Sequence, residues 1–155
     1  MTCSRLNAMT TDAPPLTAAQ DAMLEKGIAQ FNAGQWFEAH ETWEDLWGEL
    51  PGGPRRKFVQ GLIQLAVALE HTRRGNPRGA LMLLARAGKR FGTEAPARDL
   101  GIDGAGLQRA VNALLRPLHD LPAEALRPRA WRGAARGQVL PVDLSAAPRV
   151  ERGGG

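Results

Sequence analysis

Apolar residues recur at helical spacing in five segments of the chain, and glycine or proline interrupts the pattern between them. Within each segment the apolar positions repeat every three or four residues, which is typical of an amphipathic helix and not of a strand. The interrupting residues, such as Gly34 and the Pro51–Pro54 turn, are those that end or begin helices. The pattern predicts five helices, at about residues 17–33, 36–49, 54–74, 77–91 and 103–118.

The connections between these segments are short, so successive helices should be antiparallel neighbours. We therefore predict an all-α fold, a compact antiparallel bundle of about five helices. The length of 155 residues suits one domain. We expect a flexible leader at residues 1–16, a helical domain at 17–121 and an irregular tail rich in Arg, Pro and Gly at 122–155. In that tail, Trp131 and the Val139–Leu144 stretch are candidates to dock on the core.

Composition narrows the class of protein. Hydrophobic residues make up 43% of the chain, which suits a globular protein. The longest apolar run, Val59–Leu69, is about half as long as a membrane-spanning helix. Residues 1–16 lack the apolar stretch of a signal peptide, and Met9 is an alternative start. We expect a cytoplasmic protein without a membrane partner, in which a lone Cys3 excludes intrachain disulfides and cysteine-based zinc sites.

Charge is unevenly distributed along the chain. Residues 1–50 carry a net charge of −6 and residues 51–155 carry +10, which together give the overall +4. A basic half can serve an acidic partner, whether protein or nucleic acid. However, 17 of the 20 basic residues are arginines in a chain rich in Ala, Gly and Pro, a bias that a GC-rich genome also produces. No recognisable nucleic-acid motif accompanies the charge, so we do not expect nucleic acid to be the partner.

The second predicted helix combines an aromatic arc with a polar pair. His40 and Glu44 fall on the same side of this helix as Trp43 and Trp47. A carboxylate is rarely buried without a partner. Since side chains four residues apart are neighbours on a helix, His40 and Glu44 can contact each other or share a ligand. The tryptophans themselves are expected to form core rather than a surface that stacks on a ligand.

The third predicted helix carries a polar stripe opposite its apolar one. If this stripe faces the second helix, one pocket would collect His40, Glu44, Gln60, Gln64 and His71, with Trp43 and Trp47 beside them. His40, Glu44 and His71 are ligand types for a divalent metal ion, the candidate cofactor. Glu41 or Glu38 would be the general base, although both lie on the solvent side of the helix. Alternatively, the same groups form a structural hydrogen-bond network in which His71 caps its helix.

Two blocks of sequence resemble a known family. They are Phe31–Trp47, which reads FNAGQWFEAHETWEDLW, and Gln60–His71 followed by Gly75–Ala80. Both are similar to the bacterial and archaeal domain of unknown function numbered 309, over about residues 20–92. The resemblance implies a small all-helical domain. It also implies that the motif positions here are Phe37, Glu38, His40, Glu41, Trp43, Glu44 and Trp47, with Gln60, Gln64 and His71 in the second block. It implies no activity, because the family has no settled biochemical role.

The sequence leaves two classes of function open, and with them whether the chain is an enzyme. One is a metal-dependent, hydrolase-like enzyme that uses the polar pocket. The other is a non-enzymatic binding or scaffold module in which the pocket is structural. Its partner would be an acidic protein or nucleic acid, bound through Arg-rich surfaces such as Arg73-Arg74, Arg86–Arg90 and the tail from Arg127 to Arg136. A homo-oligomer formed through the tryptophan face is a third reading.

Overall fold

The computed structural model describes residues 14–92, 94–126 and 147–153. Within these ranges the chain forms six α-helices and no β-strand, so the predicted all-α class is confirmed. A single isolated bridge joins Ile102 and Arg152. The helices are α1 Ala18–Asn32, α2 Trp36–Glu49, α3 Pro54–Arg74, α4 Pro77–Phe91, α5 Glu94–Leu100 and α6 Gly104–His119, followed by a 3₁₀ turn at Ala123–Leu126.

Local signals define most helix ends, and the five predicted helices are confirmed with bounds that differ by at most one residue. Thr17 and Gln20 form a capping box at the start of α1. Proline occupies the first turn of α3 and of α4, where no helical N–H is required. Gly75 ends α3 in the left-handed conformation, at a φ of 78°.

The short helix α5 was not predicted, because the stretch between Gly92 and Asp103 reads as a connection. Pro96 is the third residue of α5, a position in the first turn where proline costs no helical hydrogen bond. Ala97 and Leu100 are buried in the core. Burial of these apolar side chains therefore stabilises a helix too short to be recognised from periodicity.

Helix α3 is the centre of the bundle. It packs against α2 and against α4; α1 packs on α2, and α6 packs on α4. Its apolar side chains, such as Phe58, Leu62 and Leu65, are fully buried. Although α3 has 21 residues, no helix in the described part of the chain is both long and apolar enough to cross a membrane. In this packing order, α1 and α2 lie on one flank of α3, whereas α4 and α6 lie on another.

A C-terminal segment returns to the bundle. The Val150 side chain is buried, and its backbone exchanges two hydrogen bonds with Asn32 of α1, at 2.8 and 3.0 Å. Arg152 pairs with Asp21 at 2.8 Å and with Glu25 at 2.7 Å. Docking of the tail thus occurs at residues 147–153. The predicted docking residues Trp131 and Val139–Leu144 lie outside the described residues, as does most of the predicted leader.

Candidate functional site

Trp43 anchors α2 to α1. Its indole is fully buried and lies directly over Gly27, where an added Cβ would stand 2.1 Å from the ring nitrogen. The ring N–H donates a hydrogen bond to the Leu24 carbonyl oxygen at 3.3 Å. Phe31 packs beside it, with ring centroids 5.7 Å apart. Trp43 is therefore core, as the sequence predicted, and is not available to stack on a ligand.

Arginines of α3 cover the other aromatic residues of α2. The Arg56 guanidinium lies 3.7 Å from the centroid of Trp47 and also donates to that residue's carbonyl oxygen. The Arg73 guanidinium lies 5.0 Å from the centroid of Trp36. These cation–π contacts join α2 to α3 along its length. They bury Trp36 and partly cover Trp47, which leaves the tryptophan face without the exposed area that a homodimer interface would need.

His40 and Glu44 contact each other as predicted, but at the protein surface. The two side chains approach to 3.7 Å between Nε2 and Oε1, and that of Glu44 is 56% exposed. Nδ1 of His40 donates to the Phe37 carbonyl oxygen at 2.6 Å, and its ring meets the Phe37 ring edge to face. The pair borders solvent because Glu44 lies at the edge of the aromatic arc. It does not line an enclosed pocket.

The glutamines of α3 are half-buried. The amide oxygen of Gln64 is shielded from solvent and has no hydrogen-bond partner among the described residues. The Gln60 side chain likewise forms no hydrogen bond with the described residues. A buried amide oxygen without a partner is energetically unfavourable.

His71 lies at the end of α3 and is held by the start of α4. The Asn76 side chain accepts a hydrogen bond from the Gly79 N–H at 3.1 Å, which caps α4. Its amide nitrogen then donates to Nδ1 of His71, also at 3.1 Å. Because the cap fixes the amide orientation, Nδ1 of His71 is an acceptor and the ring is neutral, with its proton on Nε2. An added Cβ at Gly79 would lie 2.7 Å from the Asn76 amide nitrogen, so glycine is needed for this arrangement.

The electrostatics of His71 agree with this geometry. Burial lowers the pKa of His71, the positive charge of Arg74 lowers it further, and Glu70 acts in the opposite direction. The predicted role as a charged C-terminal cap is therefore not supported, since the neutral ring is the favoured form.

Glu70 is the buried charged side chain of the described residues, and it is not among the predicted site residues. It is 8% exposed, and its two carboxylate oxygens accept from Arg73 and from Arg74, the latter at 2.7 Å. Arg73 also donates to the Gly34 carbonyl oxygen at 3.2 Å. The signal in the sequence was a carboxylate on the buried face of a helix followed by arginines three and four positions later. This ion-pair network fixes Arg73, which covers Trp36, and Arg74, whose guanidinium lies 5.7 Å from the centroid of Phe37.

The predicted metal centre is not assembled. Among the described residues, no three His, Cys, Asp or Glu side chains are placed to hold one ion, so His40, Glu44 and His71 do not form a common site. The physical reason is that each histidine is oriented by a local partner, the Phe37 carbonyl for one and Asn76 for the other. Glu38 and Glu41, the candidate bases, are exposed to solvent. The residues present therefore do not fit a three-ligand divalent site.

The packing order also separates charge. Helices α1 and α2 contain seven carboxylates and one lysine, whereas α4 and α6 contain six Arg or Lys residues and no Asp or Glu. Asp103 and Asp120 lie just outside α6, and Arg109 approaches Asp103 at 4.0 Å. The chain therefore presents an acidic flank and a basic flank on the two sides of α3.

One exposed strip on each flank is well defined. We call Phe37, Glu41, Glu44 and Asp45 of α2 the acidic strip, and Arg78, Met82, Arg86 and Lys89 of α4 the basic strip. The members of each recur at helical spacing and share one face. The three cations of the basic strip form no ion pair within the described part of the chain. Among the described residues, Phe37 at 42% and Met82 at 46% are the exposed large hydrophobic side chains.

Comparisons with known proteins agree with the resemblance seen in the sequence. A family model described as a domain of unknown function (DUF309) matches residues 24–83. The chain is 36% identical over 98 residues to the uncharacterized protein YpuF of Bacillus subtilis (strain 168), which is 62% of this chain and 56% of that protein. It is 31% identical over 65 residues to an uncharacterized protein of Aquifex aeolicus (strain VF5), which is 42% of this chain and 20% of that protein. No solved structure gives a significant match.

The matched segment contains α2, α3 and the start of α4, and thus the two blocks that carry the resemblance. This chain spans 56% and 20% of the curated relatives that it matches, and the names of both state no activity. The matched segment therefore also contains the acidic strip, His71 and Glu70, but only the first half of the basic strip. Residues 24–83 of this chain are therefore similar to the domain of unknown function DUF309, in agreement with the two sequence blocks.

Proposed function

We propose that this chain is a non-enzymatic binding module whose basic strip binds an acidic protein surface. The observation that carries the proposal is that Arg78, Arg86 and Lys89 lie exposed on one face without a carboxylate partner among the described residues. The helix that bears them and its neighbour α6 contain no Asp or Glu. Such a surface attracts a complementary negative one and accelerates association with it.

The exposed Met82 favours a protein over a nucleic acid as the partner. It lies between the cations of the basic strip, and its side chain is 46% exposed. A protein surface can bury this side chain, whereas a phosphate backbone offers no apolar contact. The strip has no aromatic residue on which a base could stack.

The contacts of the polar residues in α2 and α3 favour a structural role for the motif over a hydrolase site. His40 is engaged by the Phe37 carbonyl, and His71 is engaged by Asn76. A catalytic metal would require three convergent ligands and an open position. The described residues supply no such group. The function of this network is then to fix the bundle that presents the two strips.

The test is a titration of fluorescent polyglutamate with the full chain at low salt, followed by fluorescence anisotropy. We expect binding that weakens as salt rises, because the contacts are between exposed charges. Arg86→Glu removes one attraction and adds one repulsion, and should weaken binding roughly tenfold. The matched control is Lys26→Glu, which makes the same charge change at an exposed residue of α1 and should preserve binding.

A second arm replaces polyglutamate with a DNA oligonucleotide of similar length. A third ligand is an acidic peptide that also carries leucines. Because Met82 makes apolar contacts with a protein partner, Met82→Ser should weaken binding of this peptide more than it weakens binding of polyglutamate. If the full chain bound neither polyglutamate nor the acidic peptide, the proposal would be overturned. Tighter binding of DNA than of the acidic peptide, with no effect of Met82→Ser, would assign the strip to nucleic acid instead.

A further inference from the structure

We infer that the acidic surface bound by the basic strip is the acidic strip of a second copy of this chain, so that copies associate head to tail. This inference rests on the proposed function of the basic strip. The two strips match in kind: each presents three like charges and one large apolar side chain on a single helical face. Opposite charges on two such faces attract, and the apolar residues are covered when the faces meet.

The dimensions of the strips also match. Phe37 to Asp45 spans roughly 12 Å of helix and Arg78 to Lys89 spans roughly 16 Å, at about 1.5 Å per residue. Two helices of these lengths can lie side by side with their charges opposed. Phe37 and Met82 would then be buried at the contact, and methionine sulfur packs favourably against an aromatic ring. Without such a partner, both of these side chains remain in contact with water.

One molecule cannot bring its own strips together. Helices α2 and α4 both pack on α3, with α2 joined to the acidic flank and α4 joined to α6. The partner for each strip must therefore come from another molecule. Because the two strips are different surfaces, the interface is heterologous, and repeated association yields a ring or an open chain of copies.

The experiment uses two blocked variants of the full chain. The acidic-strip variant carries Glu41→Arg and Asp45→Arg, and the basic-strip variant carries Arg78→Glu and Arg86→Glu. All four residues are exposed, so both variants should keep the parent circular dichroism spectrum. Sedimentation velocity at low salt should show the parent growing beyond its 16.7 kDa monomer as concentration rises. Each variant alone should remain monomeric, because its two strips carry the same sign of charge.

Mixing distinguishes head-to-tail contact from any other association. An equimolar mixture of the two variants has two complementary pairs of strips, one native and one with its charges reversed, and should recover association that grows with concentration. A chain with all four substitutions keeps the parent's net charge but exchanges the signs of the strips, and it should regain concentration-dependent association. Restored association there would exclude a general effect of net charge.

The outcomes separate this inference from the proposed function. A parent that stays monomeric but still binds polyglutamate through Arg86 would overturn the self-association and leave the binding module standing. A parent that does neither would overturn both. If either blocked variant still self-associates, the contact is made by another surface and the head-to-tail contact is overturned. A mixture of the two variants that stays monomeric would also overturn it.

Discussion

Replacement of Gly27 by alanine should disrupt the contact between α1 and α2. The glycine lies beneath the fully buried indole of Trp43, and an added Cβ would stand 2.1 Å from Nε1 and 2.5 Å from Cδ1. An ordinary contact needs about 3.4–4 Å between such atoms, so the ring must retreat by more than about 1 Å. The retreat would also break the hydrogen bond from the indole N–H to the Leu24 carbonyl.

The expected cost combines three contributions. Overpacking of a core costs about 1–3 kcal/mol. Loss of the hydrogen bond leaves a buried N–H unpaired, at about 1–3 kcal/mol. Replacement of glycine by alanine within a helix stabilises the helix by about 1 kcal/mol, which offsets part of this cost. Gly27→Ala should therefore lower the free energy of unfolding by roughly 1–5 kcal/mol, which is a fall in Tm of about 2–20 °C for a domain of this size.

The assay is guanidinium denaturation of the parent and the variant, followed by circular dichroism and by tryptophan fluorescence. The matched control is Gly48→Ala in α2, where a Cβ would meet nothing within 4 Å. That substitution should stabilise the protein by about 0.5–1 kcal/mol through helix propensity alone. If the two variants gave the same change in unfolding free energy, the close packing of Trp43 on Gly27 would be refuted.

Three other outcomes follow from the polar contacts. Because folding lowers the pKa of His71, the unfolded chain takes up the proton first as the pH falls. The free energy of unfolding should therefore be highest above about pH 6.5 and decrease as the pH falls towards the folded pKa. His71→Gln should reduce this pH dependence in thermal melts, and an unchanged pH dependence would contradict the neutral ring. Protein purified without a His tag should contain no stoichiometric divalent metal by elemental analysis, since no three ligands converge among the described residues; one equivalent of metal that His40→Ala removes would restore the enzyme hypothesis. Asn32→Ala should destabilise by roughly 1–2 kcal/mol, because two hydrogen bonds to Val150 are lost; chemical denaturation measures this, with Asn112→Ala on the exposed side of α6 as the control.

Helix formation was predictable because its determinants are local. The capping box at Thr17, the proline at the start of α3 and the glycine after it each act within a few residues of the helix end. The burial of Trp43 also followed from the aromatic arc of α2 and is confirmed. Helix α5 could not be predicted because its stability comes from the burial of Ala97 and Leu100, and no local sequence pattern indicates that burial.

The tertiary structure decided which polar groups meet. Helical spacing placed His40 beside Glu44 and gave His71 a face of α3, but it could not show that Asn76 would orient His71 or that Glu70 would be buried between arginines. These outcomes depend on where the next helix begins and which side chains it brings.

The sequence alone determined which helices carry acidic residues and which carry basic ones, since composition is fixed residue by residue. Only the packing order, in which α2 and α4 contact different sides of α3, turned them into an acidic flank and a basic flank. A charge acts through space and is weakened by an opposite neighbour, so its effect depends on which helices become adjacent. That is why the net charges of the two halves hinted at a binding surface, whereas the location of the two strips required the fold.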